Sequence, residues 1–290
     1  MPDVSVTVVT YNALPYLERC LESVERYETV VVDHGSTDGT LELVRRRFPG
    51  VRLVEQENRG LAAGWNRGIR ETAAPYVLVL NADAWAVGDA VERLAAFAEE
   101  HERAGFVAPR LLNPDGTLQP SVRAFPTPWR LATEYFFLRK LAPRSRALNA
   151  FYGAGFRHDE VREIDFAKAA GFLLRRAAFE DVGPFDEEFF LFSEETDWCY
   201  RLREAGWQSF FYPDAEIVHV GGASWRAESA TLFTEQVRGH LRFLAKHRGQ
   251  RTADRARRVL LAALRLRSLL FRGERRTVYR NAADWLRSPR

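Results

Sequence analysis

The chain has 290 residues, 46% hydrophobic, 28% charged and 12% aromatic, which supplies material for a globular core and excludes a disordered or fibrous polypeptide. Its formal charge of +3 divides unevenly: residues 226–290 carry 17 Lys+Arg against 5 Asp+Glu, and residues 1–225 carry 25 against 34. The sum hides an acidic body and a basic tail.

No uncharged stretch reaches the ~18 residues that span a bilayer, and Met1-Pro2-Asp3 lacks the basic start of a secretory leader. Cys20 and Cys199 stand far apart with no CxxC or His/Cys spacing. They predict buried free thiols in a reducing compartment, with neither zinc nor a disulfide framework.

In chain order, β-branched Val4 to Thr10 predicts a first strand. Leu14, Leu17, Leu21 and Val24 recur at helical spacing and predict a helix from Leu14 to Arg26. Thr29 to Asp33 reads as a strand, Thr37 to Phe48 as a helix, Val51 to Glu55 as a strand and Leu61 to Arg70 as a helix. Tyr76 to Leu80 is a fourth strand, and Asp89 is an N-cap for a helix to about Arg103. The alternation predicts an α/β fold with a mostly parallel sheet and helices on both faces. Ligands of such sheets bind at the carboxyl ends of the strands.

Those ends are Thr10-Tyr11-Asn12, Asp33-His34-Gly35-Ser36-Thr37-Asp38-Gly39 and Asn81-Ala82-Asp83. Singly, each is also ordinary turn and cap chemistry; together they aim carboxylates and amides at one crevice. Thr10 to Ala13 has no glycine, so the fingerprint of an NAD-dependent oxidoreductase is missing. A nucleotide-sugar fits better. Asp33 can accept a hydrogen bond from a base or ribose, and Asp83 is a hard oxygen ligand for Mg²⁺ or Mn²⁺ against a diphosphate. The small residues between Asn58 and Gly68, a segment that includes Gly60 and Asn66, would let a helix N-terminus approach that ligand closely.

The segments VSVTVVTYN, VVVDHGSTDGT, ENRGLAAGWNRGI and LVLNADA, in that order over about 80 residues, resemble the family 2 glycosyltransferases of GT-A fold, and most nearly their bacterial rhamnosyltransferase-like branch. The resemblance implies that Thr10, Tyr11, Asn12 and Asp33 line the nucleoside pocket. It also implies that Asp83, with Asn81 nearby, holds the metal and the diphosphate. Asn58, Gly60 and Asn66 complete the candidate donor-binding set. His34 stands where Asn is more usual in that family, which leaves the contact to base or ribose open there.

After Pro109 regularity breaks down. Leu111 to Pro143 holds the turn signature Asn113-Pro114-Asp115-Gly116, then Pro120, Pro126 and Pro128 among the aromatics Phe125, Trp129, Tyr135, Phe136 and Phe137. It reads either as a loop-rich excursion packed on the sheet or as a surface for a sugar or lipid acceptor. Further on, Ser193 as N-cap and Gly206 as stop predict a helix from Glu194 to about Ala205. Its Glu194, Glu195 and Asp197 either complement the helix dipole or present a carboxylate that takes a proton from an acceptor hydroxyl.

FFLFSEETDWCYRLREAGW resembles the acceptor-side pattern of the same transferases, which implies Glu195 as the base and Glu194 as its fallback. Asp197 joins the candidate catalytic set, although its i,i+4 spacing to Arg201 also suits a structural ion pair. Phe210 to Pro213 and Glu216 to Gly222 read as strands. The resemblance implies His219 as a further metal ligand.

Residues 226–290 are helical in pattern, with Val259, Leu260, Ala263, Leu264, Leu266, Leu270 and Phe271 interleaved with arginines. Three readings stay open: a helix folded back on the domain, a solvated basic face, or an amphipathic surface on anionic lipid. No recognised nucleic-acid motif accompanies the charge, so nucleic acid is not an expected partner.

The expected organisation is a donor-binding half (1–110), an acceptor-binding and catalytic half of the same GT-A domain (111–225) and a basic helical extension (226–290). The expected activity is metal-dependent, inverting transfer of a sugar, rhamnose by resemblance, in cell-surface polysaccharide synthesis. The donor is a nucleotide-diphospho-sugar and the acceptor a hydroxyl of a glycan or polyprenyl-linked glycan. The expected location is cytoplasmic, peripheral on the inner face of the cell membrane. The alternative is a non-catalytic nucleotide-binding or membrane scaffold of the same fold.

Overall fold

The computed structural model describes residues 3–221 and 229–288. In chain order the elements are β1 (Val4–Thr10), α1 (Leu14–Glu22), β2 (Glu28–Asp33), α2 (Thr40–Arg47), β3 (Arg52–Glu55), α3 (Leu61–Arg70), β4 (Tyr76–Asn81), β5 (Ala84–Ala86), α4 (Ala90–Glu100) and β6 (Ala104–Leu112). The second half adds β7 (Val122–Arg123), α5 (Pro128–Tyr135), α6 (Arg146–Asn149), β8 (Arg162–Glu163), β9 (Phe166–Ala167), β10 (Gly171–Arg175), α7 (Arg176–Val182), α8 (Glu194–Glu204) and β11 (Gln208–His219). The tail forms α9 (Ser229–Arg248), α10 (Gln250–Leu270) and α11 (Gly273–Arg287).

A nine-stranded sheet runs β3-β2-β1-β4-β10-β6-β11-β5, with β8 beside β11, and β7 pairs with β9 separately. The β3-β2-β1-β4 half is parallel. Beyond it β10 lies antiparallel to both β4 and β6, so the second half is mixed. The unbroken valine and leucine runs of the central strands are explained by burial on both faces. Val30, Val32, Val77 and Val79 join the core under α3, α8 and the tail helices. The alternate residues Val31, Leu78 and Leu80 join the core under α1, α2 and α4.

Local side-chain chemistry shortens several expected helices. α1 stops at Glu22 rather than Arg26, where the Ser23 hydroxyl donates to Cys20 O (2.7 Å) and accepts from Ala86 N–H. α2 starts at Thr40 rather than Thr37, because Asp38 accepts from the Thr40 and Leu14 backbones and Gly39 takes φ +95°. Asp89 precedes α4 without capping it; its carboxylate pairs with Arg93 at 2.8 Å. The two strands expected at 210–213 and 216–222 are one strand, β11, with a register shift between Tyr212 and Glu216. Gly222 lies outside the described residues, as does the junction after Trp225, and residue 110 falls inside β6. Cys20 and Cys199 are buried free thiols, as expected.

The aromatic stretch 111–143 packs inward through Phe125, Leu131 and Tyr135, with α5 capped by Thr127 and started by Pro128. The tail folds back on it. Ala253, Ala256, Leu260, Ala263 and Leu264 are buried, and Arg267, 5% exposed, donates to the carbonyls of Tyr135 (2.7 Å) and Glu134 (2.8 Å). Leu266 and Leu270 stay exposed. Among the described residues no helix is long and apolar enough to cross a membrane.

Candidate active site

The exits of β1 and β2 are stitched into one floor. Asn12 N–H donates to Ser36 Oγ (2.8 Å), and Thr37 N–H returns a bond to Asn12 Oδ1 (2.8 Å). Asp33, fully buried, accepts from the N–H groups of Gly35 and Ser36 and from the Ser36 hydroxyl (2.5 Å). Thr10 is buried and Tyr11 exposed at the rim. His34 lies between Asn58 Oδ1 (3.2 Å) and Gln56 Nε2 (3.0 Å). The Nε2 of Gln56 can only donate, so the proton of His34 belongs on Nδ1, facing Asn58 Oδ1. Burial pushes His34 below its usual pKa, so the ring is neutral at physiological pH.

At the end of β4, Asn81 is half-buried and Asp83 keeps 20% of its side chain exposed. Asp83 Oδ1 faces His219 Nε2 at 3.4 Å, and Asp83 Oδ2 accepts from Gly221 N–H (3.3 Å). Burial opposes the Asp83 charge, but the His219 ring and the Gly221 N–H outweigh it and hold the carboxylate below its usual range. Sequence reasoning missed Gln119, whose Oε1 receives His219 Nδ1 (2.7 Å) and Lys168 Nζ (3.2 Å). With Nδ1 committed to Gln119, Nε2 is left either to share a proton with Asp83 or to join it on a metal.

Asp83 and His219 thus fit a small divalent cation. An octahedral Mg²⁺ or Mn²⁺ has neighbouring ligand atoms about 3 Å apart and commonly keeps waters and phosphate oxygens beside one or two protein ligands. Among the described residues no third His, Cys, Asp or Glu completes a cluster, which leaves the other positions to such oxygens.

The acidic pair stands at the start of α8. Phe192 and Ser193 both take positive φ (+69° and +74°), a costly conformation for non-glycine residues that turns the chain sharply into the helix. Ser193 does not cap α8; its hydroxyl packs against Gly239 of α9, where a Cβ would sit 2.7 Å away. Glu194 Oε2 and Glu195 Oε2 are buried without a hydrogen-bond partner among the described residues. Burial pushes Glu195 up to about 7, against the backbone N–H groups of the helix start and Arg123, which favour its charge. Glu194 is raised well above its usual value by burial and by Glu195.

Lys168 lies within electrostatic reach of both Asp83 and Glu195, while desolvation and Arg123 lower its own pKa. Neither Lys168 nor Arg123 carried a local sequence signal, because both reach the site only through the fold of the 120–170 region.

Three candidates belong to the scaffold instead. Asp197 is fully buried in a knot with Arg201 (2.9 Å), Lys246 (2.8 Å) and His247 (2.7 Å), and these partners overcome its burial and hold it at about 2. It ties α8 to α9. Asn66 is fully buried, accepting from Phe185 N–H and donating to Phe185 O and Glu187. Gly60 (φ +95°) accommodates the protein rather than a ligand: a Cβ there would lie 2.7 Å from Phe190 Cα, and Leu61 N–H donates to Phe190 O. The helix start at Gly60 is therefore covered by the irregular, bent segment leading to α8.

Residues 5–182 match the family model of Glycosyl transferase family 2. The chain belongs to that family. This transferase is 33% identical over 93% of its length to 95% of the N-acetylglucosaminyl-diphospho-decaprenol L-rhamnosyltransferase of Mycobacterium tuberculosis, which supports the rhamnosyltransferase-like branch. Its fold is GT-A. It superposes on a mannosyltransferase from Pyrobaculum calidifontis solved with GDP-Man and Mn²⁺ (TM-score 0.57, 18% identity, 98% of this chain and 82% of that one). It also superposes on GalNAc-T7 solved with UDP, GalNAc and Mn²⁺ (TM-score 0.60, 17% identity, 84% of this chain and 48% of that one).

Proposed function

We propose that this glycosyltransferase moves a sugar, with rhamnose as the first candidate, from a nucleotide-diphospho-sugar to a hydroxyl of a polyprenyl-diphosphate-linked glycan, with inversion and with a divalent cation. One observation carries the reading: a carboxylate held near pKa 7 whose buried Oε2 has no hydrogen-bond partner among the described residues, Glu195, and a metal-competent pair, Asp83 and His219, sit within electrostatic reach of the same lysine. The lipid-linked acceptor rests on kinship with the mycobacterial rhamnosyltransferase, whose name specifies a diphospho-decaprenol substrate.

In this reading Thr10, Tyr11, Asn12, Asp33 and Asn58 hold the nucleoside, with residues 1–110 as the donor half, 111–225 as the acceptor half and 226–290 as the extension. Glu195 Oε2 accepts the proton of the acceptor hydroxyl while that oxygen bonds to the anomeric carbon. The bond from the anomeric carbon to the diphosphate oxygen breaks, and its electron pair leaves with the nucleoside diphosphate. Asp83 and His219 would hold a divalent cation, whose charge would stabilise this leaving group. Lys168 adds a second positive charge beside it. Catalysis takes place in the cytoplasm at the inner membrane face, where such an acceptor is embedded.

Thermal stability measured across dTDP-, UDP- and GDP-sugars with Mn²⁺ tests the donor assignment. One nucleotide class should raise Tm, and only when metal is present. No shift with any of them removes the donor assignment.

A further inference from the structure

Among the described residues the most exposed large apolar side chains are Leu269 (78%), Leu141 (77%) and Leu270 (64%), and Leu266 is exposed as well. Leu141 lies 125 or more residues before the other three in sequence, yet its segment packs against theirs. Leu266, Leu269 and Leu270 close α10, and Leu141 ends a short 3-10 turn after α5. The two segments meet through Phe137 and Phe271, whose ring centroids are 5.9 Å apart. Arg267 fixes the junction, its guanidinium 4.0 Å above Phe137 while it donates to the Tyr135 and Glu134 carbonyls. These leucines therefore project from a braced corner. Large exposed apolar clusters on a soluble surface mark interaction sites.

The charge around them is predominantly positive. Arg265, Arg272, Arg275, Arg276 and Lys140 are exposed there, and Glu274 is the sole acid between residues 265 and 280. Apolar side chains ringed by arginine match the interfacial layer of an anionic bilayer, where leucines enter the acyl boundary and guanidinium groups meet lipid phosphates.

We propose that this corner is a membrane-docking tip for anionic lipid, with Leu141, Leu266, Leu269 and Leu270 as the inserted wedge. The tail therefore does not lie flat on lipid: Leu260, Ala263 and Leu264 are spent on the core, and only the α10–α11 turn reaches out. The tip is also joined to the cleft. Glu134 pairs with Arg139, Arg139 and Arg123 both stack on Tyr152, and Arg123 acts on Glu195. Docking would hold the acceptor side of the cleft in a fixed orientation to the headgroups. That orientation rests on the proposed lipid-linked acceptor; lipid binding itself does not.

The test is co-sedimentation of the full chain with vesicles of phosphatidylcholine alone or mixed with phosphatidylglycerol, at low and high salt. Wild type should bind the phosphatidylglycerol vesicles and release at high salt. Leu269→Ser with Leu270→Ser should cut binding by roughly tenfold or more, and Arg272→Glu with Arg275→Glu and Arg276→Glu should do the same. Unchanged Tm and unchanged nucleoside diphosphate release with a soluble acceptor analogue show that these variants remain folded and competent. Equal vesicle binding by the leucine variant overturns the proposal. So does a wild-type dimer that the leucine substitutions convert to monomer, which would assign the patch to a second copy of the chain. Vesicle binding without turnover on any acceptor would leave the docking tip standing and remove the proposed reaction.

Discussion

Replacing Glu195 with Gln should separate the chemistry of this side chain from its cost to the fold. The carboxyl is held at about 7 against an ordinary value of 4.5, so between these two pH values the folded chain keeps a proton that the unfolded chain releases. The stability contributed by this protonated group is fully present below about pH 4.5 and is lost as pH rises through 7. At 1.36 kcal/mol per pH unit, the loss by pH 8 is at most about 3 kcal/mol. Gln cannot ionise. Urea denaturation should therefore find Glu195→Gln close to wild type near pH 4 and more stable at pH 8, by up to about 3 kcal/mol. Wild-type turnover should rise with pH through about 7 as the base ionises. The variant should bind donor normally and turn over roughly a hundred- to ten-thousandfold more slowly. A variant that gains no stability between pH 4 and pH 8 would refute burial as the cause of the raised pKa. Near wild-type turnover would move the base to Glu194 or elsewhere.

Asp83→Ala should lose Mn²⁺ binding, measured by the paramagnetic signal of free Mn²⁺ in the presence of nucleoside diphosphate, while keeping the wild-type far-UV spectrum. Lys168→Met should weaken binding of a nucleoside diphosphate by roughly tenfold while leaving the nucleoside alone unaffected; equal losses for both would make Lys168 structural. Asp197→Asn breaks the contacts of a buried carboxylate with Arg201, Lys246 and His247 and should cost about 3 kcal/mol at pH 7. The stability held by Asp197 is present above its ordinary 3.8 and lost as pH falls through about 2, so the deficit of this variant should shrink at low pH. Gly60→Ala meets both positive φ and the Phe190 backbone, and should cost about 1–3 kcal/mol in denaturant melts.

β1, β2, β4 and α3 could be read almost residue by residue, because burial on both faces makes each of these strands a short run dominated by β-branched and aliphatic residues. The same logic singled out Asp33 and Asp83 as candidates, since strand exits are where such sheets bind ligands. What could not be read depends on contacts distant in sequence. Gln119 supports His219 from 100 residues away, and Lys168 reaches Gln119 across 49. Asp197 read either as a member of the candidate catalytic set or as an ion-pair partner of Arg201, and the further pairing with His247 and Lys246 of α9, about 50 residues on, had no local signal. Gly60 and Asn66 are small or polar for the sake of the 185–190 segment, 119 or more residues later. The basic tail was ambiguous for a related reason. Its leucines serve two purposes in one helix, core at Leu260 and Leu264 and surface at Leu269 and Leu270, and a periodicity argument cannot separate them without the partner surface of α5.

The central claim is metal-assisted sugar transfer with Glu195 as base and Asp83 as metal ligand. The most direct measurement is release of nucleoside diphosphate when the wild-type chain, a nucleotide-sugar, Mn²⁺ and a polyprenyl-diphosphate-linked N-acetylglucosamine are combined. Release should require all four components, stop on chelation of the metal, and disappear in both Asp83→Ala and Glu195→Gln. Release that continues undiminished in either variant, or its absence with every nucleotide-sugar tried, would contradict it.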